Sequence, residues 1–84
     1  MATVVMSDDV MEQFDQLPRP IKARMLKLVD RLQGWPEVSG AKPLSGDLAG
    51  HFRLRTGDYR LQFRVEGENV IVEKIGHRST FYED

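Results

Sequence analysis

Residues 51–82, HFRLRTGDYRLQFRVEGENVIVEKIGHRSTFY, decide the fold, because within them apolar residues alternate with arginines at strand period. Successive side chains of a strand face opposite sides, so Phe52 and Leu54 point one way while His51, Arg53 and Arg55 point the other. In the next run Tyr59, Leu61, Phe63 and Val65 share one face, and Arg60, Gln62 and Arg64 share its opposite. Thr56-Gly57-Asp58 separates the two runs, and Gly57-Asp58 as a two-residue loop suits a type II′ hairpin. That register predicts Arg55 opposite Arg60, Leu54 opposite Leu61, Arg53 opposite Gln62 and Phe52 opposite Phe63. A three-residue loop without a bulge would set Arg55 against Tyr59 and mix both faces, since a one-residue slip inverts every side chain. The even loop leaves several guanidinium groups side by side, with Arg53 and Arg55 about 7 Å apart at the usual strand rise. Like charges placed opposite one another cost a sheet up to about 1 kcal/mol. A face of this kind suits an anion, although it is also what the solvated side of a half-covered antiparallel sheet looks like.

Working outward, the third strand of this half is 70–75, and here the alternation stops deciding. Val70, Val72 and Lys74 fall on one face and Ile71, Glu73 and Ile75 on the other. Either the strand is buried on both sides or a bulge near Gly76 resets its phase. Upstream, residues 38–50 are rich in Gly, Ser and Pro and read as an ordered loop anchored by Leu44 and Leu48. The first half of the chain opens with the β-branched run Thr3-Val4-Val5-Met6, a short strand closed by Ser7. Ser7 is a good N-cap for a helix over 8–17, with Asp8 and Asp9 in its first turn and Val10, Phe14 and Leu17 at helical spacing. Pro18-Arg19-Pro20 breaks this helix, and Pro20 suits the first position of a second one. Ile21, Met25, Leu28 and Leu32 form its apolar stripe, Lys22, Arg24, Lys27 and Arg31 solvate it, and Gly34 ends it. Trp35 reads as a packing residue. The predicted fold class is therefore α+β, a helical hairpin packed on an antiparallel sheet in the order β-α-α-β-β-β, with 1–84 as one domain.

Composition narrows the function. A chain of 84 residues buries about 60–65% of its unfolded surface, so the core is small. Without cysteine there is neither a disulfide frame nor a thiolate metal site, and two histidines without patterned carboxylates predict no metal and no cofactor. The apolar N-terminal run is too short for a signal or a membrane span, which predicts a cytoplasmic protein with no membrane partner. The net charge of -1 is unlike that of a free nucleic-acid binder, yet four arginines against Asp58 gather between His51 and Val65. The positive charge is local.

The segments 42–63, KPLSGDLAGHFRLRTGDYRLQF, and 75–82, IGHRSTFY, resemble the RelE/ParE family of toxins from bacterial toxin-antitoxin pairs, whose element order fits nearly the whole chain. RelE-like members are ribosome-dependent mRNA endonucleases, and ParE-like members of similar fold poison DNA gyrase without cutting nucleic acid. The resemblance implies a toxin whose partners are a cognate antitoxin and either the ribosome with its mRNA or DNA gyrase, with no small-molecule substrate. On the RelE-like reading it is an mRNA interferase, an endoribonuclease. Its implied catalytic residues are Arg53, Arg55, Arg60, Arg78 and Tyr82. An mRNA 2′-hydroxyl would attack the adjacent phosphate, with Arg60 and Arg53 stabilising the phosphorane, Arg78 assisting the leaving 5′-oxygen and Tyr82 orienting a base. Where such sites commonly carry lysine this chain has arginine, whose pKa above about 12 makes Arg55 a phosphate holder and a poor proton acceptor. His51, on the face of Arg53 and Arg55, and His77, before Arg78, are the alternative bases. A non-enzymatic gyrase inhibitor and a member that only binds its antitoxin remain as the other readings.

Overall fold

The computed structural model describes residues 1–81. The chain forms β1 (Thr3–Met6), α1 (Asp8–Asp15), α2 (Arg19–Arg31), β2 (Lys42–Pro43), β3 (His51–Thr56), β4 (Tyr59–Glu66), β5 (Asn69–His77) and α3 (Arg78–Phe81), with single 3-10 turns at Leu32–Gly34 and Gly46–Leu48. The helical hairpin and the three-stranded C-terminal meander are those predicted. Two differences are informative. The sheet is mixed, in the order β1-β5-β4-β3-β2, because β1 lies parallel to β5 with Val4 opposite Val70 and Met6 opposite Val72. The rest is antiparallel. The loop before the meander also contributes a two-residue edge strand, β2, which sets Lys42 opposite Arg53 and Pro43 opposite Phe52. A parallel β1 follows from the connection: the helical hairpin carries the chain away from β1, and three antiparallel strands bring it back beside it.

The β3–β4 hairpin has the expected register from His51 opposite Arg64 to Thr56 opposite Tyr59. Gly57 has φ +59°, and Asp58 keeps a negative φ, as the first and second loop positions of a type II′ turn require. In β5 the phase change is present but lies three residues before Gly76. Phe63 pairs with Val72 and Gln62 with Lys74, so Glu73 is the extra residue of a β-bulge. The bulge lets Val70, Val72 and Ile75 all face the helices, buried to 0%, 1% and 4% relative exposure, whereas strict alternation would turn Ile75 outward.

Ser7 caps α1, its Oγ accepting from Val10 N–H at 3.3 Å, and α1 stops at Asp15, two residues short of the expected end. Leu17 is nevertheless buried, packed from the connection. α2 begins at Arg19 with Pro20 in its second position, and Met25, Leu28, Val29 and Leu32 form its buried stripe against Leu54, Leu61, Phe63, Val70, Val72 and Ile75. Trp35 packs edge-on against Phe52 and Phe63, at centroid distances of 4.7 and 5.3 Å, while those two rings stack across β3 and β4 at 5.4 Å. Such pairs add about 0.5–1.5 kcal/mol each beyond burial. Beyond Met6, β1 no longer pairs with β5, and the Gln13 amide oxygen accepts from the Ile75 N–H at 2.8 Å.

Leu61, fully buried between α2 and the sheet, is a direct measure of this core. Leu61→Ala should lower unfolding free energy by about 2–5 kcal/mol in denaturant titration.

Candidate functional site

The helices cover one side of the sheet and leave His51, Arg53, Arg55, Gln62 and Arg64 on the other, as the strand parity predicts. The structure divides these residues into groups with different electrostatics. Lys42, brought opposite Arg53 by β2, joins Arg53 and Arg55 around a shallow groove of about 150 Å³ floored by Gly40. Among the described residues its lining carries the cations Lys42, Arg53 and Arg55, which makes it the part of the face suited to a phosphate oxygen. Lys42 belongs to no strand that alternation could reveal, and its contribution is visible only once its pairing is known.

The second group is a network centred on the bulge residue. Glu73 Oε1 lies 2.6 Å from His51 Nδ1 and accepts from Gln62 Nε2 at 3.3 Å, while Oε2 accepts from Arg64 Nη1 at 3.1 Å. Arg64 Nε also donates to Glu66 at 2.7 Å. Arg64 is therefore neutralised by two carboxylates and withdrawn from the anion-binding set. Partial burial pushes the Glu73 carboxyl up, but hydrogen bonds from His51, Gln62 and Arg64 outweigh it and hold its pKa below the ordinary glutamate value. Glu73 is thus an acceptor at neutral pH, and His51 Nδ1 carries the proton. Among the described residues, His51 Nε2 makes no hydrogen bond. The two apolar residues and one charge on each face of 70–75 were the visible sign of this irregularity; the network itself depends on where the bulge falls.

Arg60 stands apart. It is only 8% exposed, opposite Gly76 in register, at a corner that α3 closes by packing on both β4 and β5. The Gly76 position lies under α3, where a Cβ would stand 3.7 Å from Thr80 Oγ1 and 4.0 Å from Phe81 Cδ1, within ordinary contact. The Arg60 Nη1 donates to the carbonyls of Gly57 at 3.0 Å and Tyr59 at 3.2 Å, bracing the hairpin turn, and among the described residues its Nε is buried without a partner. The expected solvated Arg60 beside Arg53 and Arg55 is instead a buried strut at the opposite end of the hairpin from His51. Alternation assigns its face correctly but cannot register the short helix that covers it.

Arg78 begins α3. Its backbone N–H donates to Asp58 O at 2.8 Å, and its exposed guanidinium stands 3.9 Å from the Asp58 carboxylate. His77 pairs with Tyr59, whose ring it meets edge-on at 5.1 Å, and so belongs to the helix-covered side of the sheet. There it lines a separate cleft of about 350 Å³ with Gln13, Leu17, Tyr59 and Phe81. The His77 Nδ1 accepts from Ser79 N–H at 3.0 Å. The structure thus puts His51, not His77, on the side of the cationic groove. Tyr82 lies outside the described residues. Among the described residues no cluster of three or more His, Cys, Asp or Glu side chains could hold a metal ion, and no helix is long and apolar enough to cross a membrane.

The lowered Glu73 pKa fixes the sign of a pH effect. A carboxyl stabilised in the folded state contributes above its unfolded pKa, and the contribution fades as pH falls through the folded value. Glu73→Gln should lower stability by on the order of 1 kcal/mol at pH 7, with wild type and variant converging well below pH 4, as thermal melts across that range would show.

Comparison with known proteins bears on the whole chain. The profile described as the ParE toxin of the type II toxin-antitoxin system, parDE, matches residues 4–82. Toxin RelG of Mycobacterium tuberculosis is 42% identical over 43 residues, 49% of either chain, so the match spans about half the length of that relative. Toxin RelE3 of Methanocaldococcus jannaschii is 22% identical over 83 residues, covering 95% of this chain and 94% of the relative. Among solved structures, the toxin-antitoxin complex RelBE2 of Mycobacterium tuberculosis superposes with a TM-score of 0.77 at 28% identity, over 92% of this chain and 98% of the other. The isolated RelE toxin of E. coli shares the fold, with a TM-score of 0.75 at 15% identity over 92% and 84% of the two chains. With this fold, this element order and a matching profile over nearly its full length, the chain belongs to the RelE/ParE family of toxins of type II toxin-antitoxin systems.

Proposed function

We propose that this protein is the toxin of a two-component pair and acts as a RelE-like endoribonuclease on mRNA held by the ribosome, in the cytoplasm, under control of a cognate antitoxin. The observation that carries this reading is the groove of Lys42, Arg53 and Arg55, a concentration of cations on a protein of net charge -1. Such a groove holds a phosphate by charge-assisted hydrogen bonds and stabilises the extra negative charge of a pentacoordinate phosphorus. Arg53 and Arg55 take the phosphate oxygens and Lys42 adds a mobile donor. Arg60 contributes by fixing the hairpin tip, and Arg78 stands at that same end. Weak net charge leaves little long-range steering toward RNA, consistent with a substrate presented by a larger particle instead of captured from solution. The solved relatives RelBE2 of Mycobacterium tuberculosis and RelB-RelE of Methanococcus jannaschii are toxin-antitoxin complexes, which supports an antitoxin for this chain. Acidic side chains laid over the groove would neutralise it.

The matching family profile carries the ParE name, which favours one second reading, inhibition of DNA gyrase without cleavage. The two separate cleanly. On the nuclease reading, expression without the antitoxin arrests growth and cuts reporter transcripts within codons. Arg55→Ala and Arg53→Ala each reduce cleavage by tenfold or more, about 1.4 kcal/mol of transition-state stabilisation, while Lys27→Ala, on the exposed side of α2, leaves it unchanged. Growth arrest with intact transcripts and inhibited supercoiling by purified gyrase would establish the second reading instead.

A further inference from the structure

We infer that His51 and Glu73 form a catalytic dyad in which His51 Nε2 is the general base and Glu73 is its positioning residue. The inference deepens the nuclease reading above and rests on it. Arginine cannot take a proton near neutral pH, so a groove lined by Lys42, Arg53 and Arg55 holds a phosphate without activating the attacking hydroxyl. The structure puts one imidazole on the groove's side of the sheet. His51 shares a strand face with Arg53 two residues along, about 7 Å at the usual rise, a spacing over which both side chains can reach one ribose-phosphate unit.

The orientation of that imidazole is built, not incidental. Glu73 Oε1 takes the Nδ1 proton at 2.6 Å, and its other oxygen is fixed by Arg64 at 3.1 Å. Glu73 stands on the outer face with Ile71, as alternation from Val72 places it, and as the extra residue of the β5 bulge it sits beside Gln62 without a backbone partner of its own in the register. Two further features mark a functional arrangement. His51 and Glu73 are both largely withdrawn from solvent, at 24% and 20% side-chain exposure. The tautomer imposed by the carboxylate leaves the Nε2 lone pair as the only basic site on the ring. A base held by a carboxylate through its other nitrogen is the arrangement that suits proton abstraction from a hydroxyl.

His51 Nε2 removes the 2′-hydroxyl proton as O2′ bonds to the neighbouring phosphorus, and the P–O5′ bond breaks. The products are a 2′,3′-cyclic phosphate and a 5′-hydroxyl, whose oxygen takes a proton from water. His51 then returns its proton to solvent. Among the described residues, the charged groups on the imidazole's side of the sheet include Glu73 from β5, Arg64 from β4, Arg53 from its own strand and Lys42 across from Arg53 on β2.

The test uses purified full-length protein, mRNA-programmed ribosomes and mapped product ends across pH 5–9. His51→Ala should slow cleavage by about 10²–10⁴-fold, with partial recovery on adding imidazole. Glu73→Gln should slow it at least about tenfold in kcat with KM for programmed ribosomes unchanged, the split expected of a residue that orients the base and does not bind substrate. Lys27→Ala, far from the groove, serves as the reference. Nitrogen-detected NMR of the wild type should show His51 protonated at Nδ1 and bare at Nε2, and thermal melts identify any variant that has not folded. Cleavage by a folded His51→Gln within threefold of wild type would overturn the dyad and leave the nuclease standing. Wild-type protein that leaves ribosomal mRNA intact would overturn both, and the tautomer read by NMR would then belong to a structural network.

Discussion

One residue's worth of extra chain in β5 is the constraint on which the rest depends. The strand must bury Val70 and Val72 beside β1, where Val4 and Met6 oppose them, and must bury Ile75 where the helical hairpin crosses its far half. These demands have opposite parity, and no regular strand meets both. Inserting Glu73 between them resolves the conflict, while alternation from Val72 keeps its carboxylate on the outer face. That face already carries His51, Gln62 and Arg64, so the inserted acid falls among donors and is satisfied by all three. Packing on one side of the sheet thus dictates the electrostatics of the other.

The Glu73 carboxylate partitions a face whose other charges are largely basic. At one end Glu73 and Glu66 offset the arginine and histidine of β3 and β4. In the middle the edge strand β2 adds Lys42 to Arg53 and Arg55. At the hairpin tip Arg60 turns inward to brace carbonyls under α3. Like charges set opposite one another, as at Arg55 and Arg60, are tolerated because one of the pair points into the turn, away from its neighbour. A row of guanidinium groups in the sequence becomes three environments with different chemistry.

How much of this was legible follows from which physical rule set each feature. The β3–β4 hairpin could be read residue for residue because period two and a positive-φ glycine leave one even register. The capped first helix and the stripe of the second were equally plain, since local periodicity and Ser7 define them. The bulge announced itself as a failed pattern between Val70 and Ile75, but its position depends on which residues the helices cover, a tertiary matter. Burial of Arg60 depends on a four-residue helix, too short to show a period, seated over Gly76. Lys42 and the parallel partnership of β1 with β5 are likewise consequences of assembly: neither a two-residue edge strand nor the direction of a sheet neighbour leaves a local signal.

Gln13 carries a consequence of a different kind. The far half of β5 has no strand on its outer side, and an uncovered edge is a template on which any extended chain can add. By holding the Ile75 N–H with a side-chain amide, α1 removes one rung from that template while leaving the strand itself undistorted. Self-association through this edge would have to displace an intramolecular hydrogen bond before forming its own. A single amide on a neighbouring helix thereby does for this stretch of border what a further strand would do, at the length of one side chain.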